Sequence, residues 1–103
     1  MIILNIGLDN NPHTIPGILL MLDNLKAYKT SSQLYQKDDG EMVRERTLVV
    51  YLDHPVAEHR LFHVANACGQ DCIAQYDTHN QVGELIGPRC APYGEFNLDY
   101  FIQ

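Results

Sequence analysis

Several features are missing from this sequence, and each absence narrows the reading. There is no tryptophan, there are only three cysteines and seven basic residues, and no apolar run approaches the length of a membrane span. A helix crossing a bilayer needs about 20 consecutive apolar residues. The apolar N-terminus, Met1 to Leu8, has no basic flank and no small-residue cleavage site, so a cytoplasmic chain without membrane attachment is expected. Three cysteines are an odd number and too few for a secreted disulfide scaffold, and the Cys68–Cys72 spacing is not that of a CxxC redox or zinc knuckle. Seven bases against thirteen acids leave a formal charge of −6, which opposes a sequence-independent grip on DNA or anionic membrane. No GxGxxG, P-loop or GxSxG occurs, which removes the simplest nucleotide and hydrolase readings.

What is present suits one folded domain over residues 1–103. The chain is 46% hydrophobic and 19% charged, with seven glycines, five prolines and no low-complexity tract. Surface scaling at this size predicts burial of roughly 65% of the unfolded area, enough for a core without staples.

Read in order, Ile2, Leu4, Ile6 and Leu8 alternate with other residues and define a first strand, closed by Asp9-Asn10-Asn11-Pro12. A helix is expected from Pro16 to about Lys29, because Ile15, Ile18, Met21, Leu22, Leu25 and Tyr28 recur at three- and four-residue steps. Leu20 lies off that stripe and is expected to be exposed. Asp38-Asp39-Gly40 signals a hairpin, followed by a long strand from Met42 to Leu52. Asp53-His54-Pro55 ends that strand and is expected to open a second helix, with Ala57, Leu61, Val64, Ala65 and Cys68 on one side and Gly69 as its stop. Cys72–Tyr76 and Val82–Ile86 form a second hairpin, the loop Gly87 to Gly94 follows, and an aromatic segment, Phe96 to Ile102, packs back on the domain.

This order predicts an α+β, ferredoxin-like (split βαβ) domain: an antiparallel sheet, two helices on one face and a C-terminal hairpin extension. The strands ending at Asp9 and Asp53 are expected to be parallel neighbours that emerge at one sheet edge. Inward parity of Leu4 and Val50 leaves Ile3, Val49 and Tyr51 on the face without helices. With Leu20, this suggests a homodimer.

Three sets of residues are candidates for chemistry. Asp9 and Asp53, extended by His13 and His54, would suit a divalent metal that activates water for phosphodiester hydrolysis. Helix capping and the macrodipole account for acids at these places without catalysis, and capping is the preferred reading. His59 and His63 sit one helical turn apart, a chelating spacing, yet Cys68 falls roughly 180° and 140° around the helix from them. A solvated pair is therefore expected. Cys68 and Cys72 read as small hydrophobes, and only Cys90, beside Arg89, has a setting that favours a thiolate.

Gly69 to Asp77, Gly83 to Pro88 and Gly94-Glu95-Phe96-Asn97 resemble small uncharacterised proteins of bacteriophages and bacterial mobile elements, and Leu4-Asn5-Ile6-Gly7-Leu8 adds to the likeness. The resemblance implies an accessory role through binding a host protein, for which an acidic surface that occludes a nucleic-acid-binding partner is one physical route. It carries over no catalytic residue and no cofactor.

The expected function is thus a non-enzymatic protein-binding module. Its contact residues are Arg89, Tyr93, Phe96 and Tyr100, on a proline-stiffened loop and the aromatic segment beyond it. The alternatives are a metal-dependent nuclease or phosphodiesterase using Asp9 and Asp53, and a small-molecule-sensing regulatory module. Calorimetric titration with Zn²⁺ or Mn²⁺ is expected to find no submicromolar site; one abolished by Asp9→Ala or His59→Ala would favour the enzyme.

Overall fold

The computed structural model describes residues 1–9, 11–36 and 39–89. In chain order the elements are β1 (Ile2–Gly7), α1 (Ile15–Leu19), β2 (Leu25–Gln36), β3 (Met42–Leu52), α2 (Glu58–Ala67), β4 (Ile73–Asp77) and β5 (Val82–Ile86). They form an α+β unit with one five-stranded sheet in the order β2-β3-β1-β4-β5, antiparallel at every pairing.

The central strand is the most apolar. Ile2, Leu4 and Ile6 of β1 point to the face that carries both helices, where they meet Leu48, Val50 and Leu52 of β3, Ile73 of β4 and Ile86 of β5. Ile18 of α1, Leu22 just beyond it, and Leu61, Val64, Ala65 and Cys68 from α2 and its C-cap close this core. On the opposite face Ile3, Val49 and Tyr76 form a smaller cluster, with Tyr51 and Ala74 against it. The parity read from the sequence is the observed one. Ile3 and Val49 are nevertheless 5% and 0% exposed, so this face is not the open apolar patch that motivated the expected dimer.

Strand directions correct one expectation. β1 pairs antiparallel with β3, Ile2 opposite Leu52 and Gly7 opposite Thr47. The helical crossover makes β2, not β3, parallel to β1, and the hairpin at Gly40 (φ 87°) then turns β3 back against both. Asp9 therefore lies at one end of the sheet and Asp53 at the other. At about 3.4 Å per residue, the β3 positions level with them are roughly 25 Å apart.

The first helix is also shorter than its apolar spacing suggests. Thr14 caps it, its hydroxyl accepting from the Gly17 N–H at 3.3 Å, and Pro16 occupies the first turn. It ends at Leu19, and Asn24 adopts φ 62°, a left-handed conformation that Asn tolerates better than most residues. From Leu25 the chain instead pairs along the whole of β3. Leu25 and Tyr28 are exposed strand residues rather than part of a helix stripe, while Leu20 is 88% exposed as expected.

The second helix starts later than Pro55. Its N-cap is Ala57, with no side-chain cap, and Glu58 lies in the first turn. Its end follows the expectation closely: Gly69 takes φ 66°, its N–H donates to the Asn66 carbonyl at 3.2 Å, and the Gln70 N–H donates to the Ala65 carbonyl at 2.9 Å. This pair of bonds is a Schellman motif, which satisfies carbonyls the helix would otherwise leave open.

Gly69→Ala is expected to lower stability by about 1–2 kcal/mol, because an L side chain strains the left-handed position. Leu48→Ala, which empties a fully buried site between the helices and the sheet, is expected to cost about 2–5 kcal/mol. Denaturant titrations of the two variants check both values and their order.

Candidate functional site

The β2–β3 hairpin is longer than the sheet that supports it. β1 pairs only with Thr47 to Leu52, whereas β2 pairs with β3 from Leu52 back to Met42. Ser32 to Gln36 and Met42 to Arg46 therefore continue as a two-stranded ribbon beyond the end of β1.

Asp9 braces the root of this ribbon. Its Oδ2 accepts from the Arg46 backbone N–H and its Oδ1 from Arg46 Nε, both at 3.0 Å. The Leu8 N–H donates to the Arg46 carbonyl at 2.9 Å. Both backbone groups of Arg46 thus face the β1 side. The Arg46 N–H, then its guanidinium, hold the Asp9 carboxyl below the usual aspartate range. Glu45 next to it is pushed the other way, by burial first and then by the Asp9 charge. Gly7 leaves the space for this arrangement, since a Cβ there would overlap the side-chain oxygens of Gln70 and Glu45.

The direction of Arg46 determines what β2 presents outward. In an antiparallel ladder, a residue whose backbone groups face away from its neighbour sits opposite one that does the same. Ser32 is opposite Arg46, so its N–H and C=O point away from β3, and by the two-residue period so do those of Thr30 and Tyr28. At the other end of the pairing the Asp53 N–H donates to the Asn24 carbonyl at 3.3 Å, consistent with odd-numbered β3 positions facing β2. Among the described residues no strand pairs with the outer side of β2, and Leu25 to Thr30 and Ser32 are exposed. The result is a twelve-residue strand with one open edge.

Charge is unevenly divided between this hairpin and the rest of the chain. Lys26, Lys29, Lys37, Arg44 and Arg46 are five of the seven bases, set against four acids in the same stretch, while the remaining residues hold nine acids and two bases. Where β2 meets the helix side, a groove of about 350 Å³ is lined by Leu8, Ile15, Thr30, Ser31, Ser32 and Arg46.

The acids singled out from the sequence are placed apart, and each has a structural partner. Asp9 clamps Arg46, and Asp53 lies 3.7 Å from Lys26 Nζ. Neither caps a helix, since the N-caps are Thr14 and Ala57, and the antiparallel run of β1 and β3 keeps the two carboxylates from forming one site. Asp77 accepts from the backbone N–H groups of Asn80 and His79 and from the Asn80 side chain, and Asn80 foremost lowers its carboxyl. His13, His54, His59 and His63 are exposed, and among the described residues no group of three metal-ligating side chains occurs. Cys68 is buried, with its thiol pushed up by burial, and Cys72 is half-buried.

Arg89 is exposed and held in place. Its Nε is 2.7 Å from Asp71 Oδ1, and its N–H donates to the Asp71 carbonyl at 3.0 Å. Gly87 permits this approach, since a Cβ there would overlap the Asp71 carbonyl oxygen and the Cys72 Cα. Cys90, Tyr93, Phe96 and Tyr100 lie outside the described residues.

The open edge of β2 was not among the sequence candidates. Its signals were the Asp23-Asn24 pair, which favours a turn, and the strand-favouring Tyr28 and Thr30. Comparison with protein-family models, curated proteins and solved structures finds no match for the chain.

A carboxylate held low in the folded state stabilises it above the unfolded value, and that contribution is lost as pH falls through the folded value. Asp9→Ala and Asp77→Ala are each expected to lower the Tm at neutral pH and to flatten its decline on acidification. Glu45 has the opposite sign: Glu45→Gln is expected to raise the Tm at neutral pH, with the gain vanishing once the native carboxyl is protonated. Thermal melts from neutral to strongly acidic pH separate Glu45 from the two aspartates.

Proposed function

We propose that this chain is a non-catalytic protein-binding domain that takes an extended strand of its partner onto the outer edge of β2. The observation that carries this reading is the open edge: twelve residues of strand, outward backbone donors and acceptors at Tyr28, Thr30 and Ser32, and no described strand beside them. Exposed edges of this kind are templates for pairing with another chain, and strand addition obtains its affinity from main-chain hydrogen bonds. The split βαβ, ferredoxin-like arrangement belongs to the same proposal. It is supported by β1 and β2 running parallel with β3 between them, by β3 and β4 running parallel with β1 between them, and by both helices contributing to one core.

A protein contact fits the remaining residues better than phosphodiester hydrolysis does. One divalent ion needs both carboxylates within coordination distance, and carboxylates at opposite ends of a sheet do not converge on it. Following the resemblance of the C-terminal third to phage and mobile-element proteins, a host protein is the partner class to seek. Arg89, exposed and braced by Asp71 just beyond β5, at the opposite end of the strand order from β2, is proposed as a second contact point, with Tyr93, Phe96 and Tyr100 kept as candidates on the sequence alone.

A photo-crosslinking residue in place of Lys29 is expected to trap protein partners, and the same residue in place of His59 on α2 to trap none. Equal trapping at both positions, or trapping at α2 alone, would remove the edge from the contact surface.

A further inference from the structure

We infer that the strand taken up by the β2 edge is the β2 of a second copy of this chain, paired antiparallel about Ser31 to give one continuous ten-stranded sheet. This rests on the proposed edge contact and names its occupant. Symmetric, isologous pairing is the commonest way in which soluble chains assemble.

The outward positions make the strand self-complementary. Thr30, Ser32 and the even-numbered positions beside them turn their backbone groups outward, and an antiparallel copy centred on Ser31 sets Thr30 opposite the second copy's Ser32 and that copy's Thr30 opposite Ser32. Each such pair exchanges two N–H···O bonds. Because opposed residues have the same parity, helices of both copies stay on one side of the joint sheet.

Charge favours the same direction. Lys26 and Lys29 stand in the first half of β2, and Asp39 and Glu41 flank Gly40 in the turn that precedes β3. Antiparallel pairing brings the start of one β2 towards the end of the other, so the basic half of each copy, where Lys26 also lies 3.7 Å from its own Asp53, runs towards the partner's exposed Asp39 and Glu41. In this register Lys29 stands opposite Gln33 and Lys26 opposite Gln36, so no lysine faces another. Parallel pairing would align the lysines with each other and the acidic turns with each other. Opposite charges across strands stabilise and like charges destabilise. Natural edges commonly avoid pairing by being short or by carrying proline, a bulge or charged side chains, lysine above all; the antiparallel register offsets the lysines of β2 with the acids of the partner's turn. β2 is twelve residues long, contains no proline, and has its only register shift at its first residues.

Light scattering of the full chain at high micromolar concentration is expected to return twice the 11.7 kDa chain mass. Ser32→Pro removes an outward N–H while sparing the bonds to β3, a place where proline is tolerated, and is expected to return the single-chain mass with unchanged circular dichroism. A second pair of variants guards against misfolding by Ser32→Pro. Thr30→Glu with Ser32→Glu, and separately Thr30→Lys with Ser32→Lys, set like charges across the two-fold and are each expected to be monomeric, whereas their equimolar mixture returns the dimer mass. A wild type that stays monomeric, or one that dimerises equally well with Ser32→Pro and with both charged pairs, overturns the self-pairing. A monomeric wild type whose Lys29-position crosslinks to another protein disappear in Ser32→Pro leaves the edge contact standing and assigns it to a different partner.

Discussion

Everything in this molecule is arranged around a six-residue strand that is hydrogen-bonded on both sides. β1 pairs with β3 along its full length and with β4 along most of it, so its backbone is satisfied within the sheet while its side chains supply both faces. A central strand with no exposed edge tolerates no slip of register, because a shift by one residue would exchange Leu4 and Ile6 with Ile3 and Asn5 and invert both clusters. The helices follow from this. Each connects strands that lie on either side of an intervening one, and each covers the face on which Ile2, Leu4 and Ile6 converge.

The hairpin that flanks β1 exceeds it in length, and the resulting overhang concentrates the unusual chemistry of the chain. Arg46 lies at the boundary between supported and unsupported ribbon. Its backbone has run out of β1 to bond with, and Asp9 replaces the missing strand by accepting the N–H that β1 can no longer take. Burial first, and then this carboxylate, raises the proton affinity of the half-buried Glu45. An acid that looks available for catalysis in the sequence is thus consumed in ending a ladder. Asp77 is consumed in shaping a turn and Asp71 in holding Arg89. Each of these acids thus has a structural task within the described fold.

Much of this was legible in the amino-acid order, for reasons that are local. The alternation of Ile2, Leu4 and Ile6 determined the first strand and its inward face; the apolar run after Thr47 determined a buried strand; Leu61, Val64, Ala65 and Cys68 determined the buried side of α2; and Gly69 determined where that helix stops. These depend on side-chain period and on a backbone conformation that glycine adopts readily, which neighbouring residues specify among themselves.

Three features were decided only by tertiary structure. Leu22, Leu25 and Tyr28 keep a helical spacing, but the chain leaves the helix before Asn24 and pairs along the whole of β3, which satisfies the side of that buried strand that β1 does not reach. Asp9 and Asp53 each follow a strand, and their proximity depended on whether those strands run parallel, which no local pattern encodes. Among the described residues β2 has an open edge because the sheet ends there, a property of strand order and not of the residues in the strand. Local sequence specified which residues turn inward; only the assembled sheet determined which backbone groups were left facing outward.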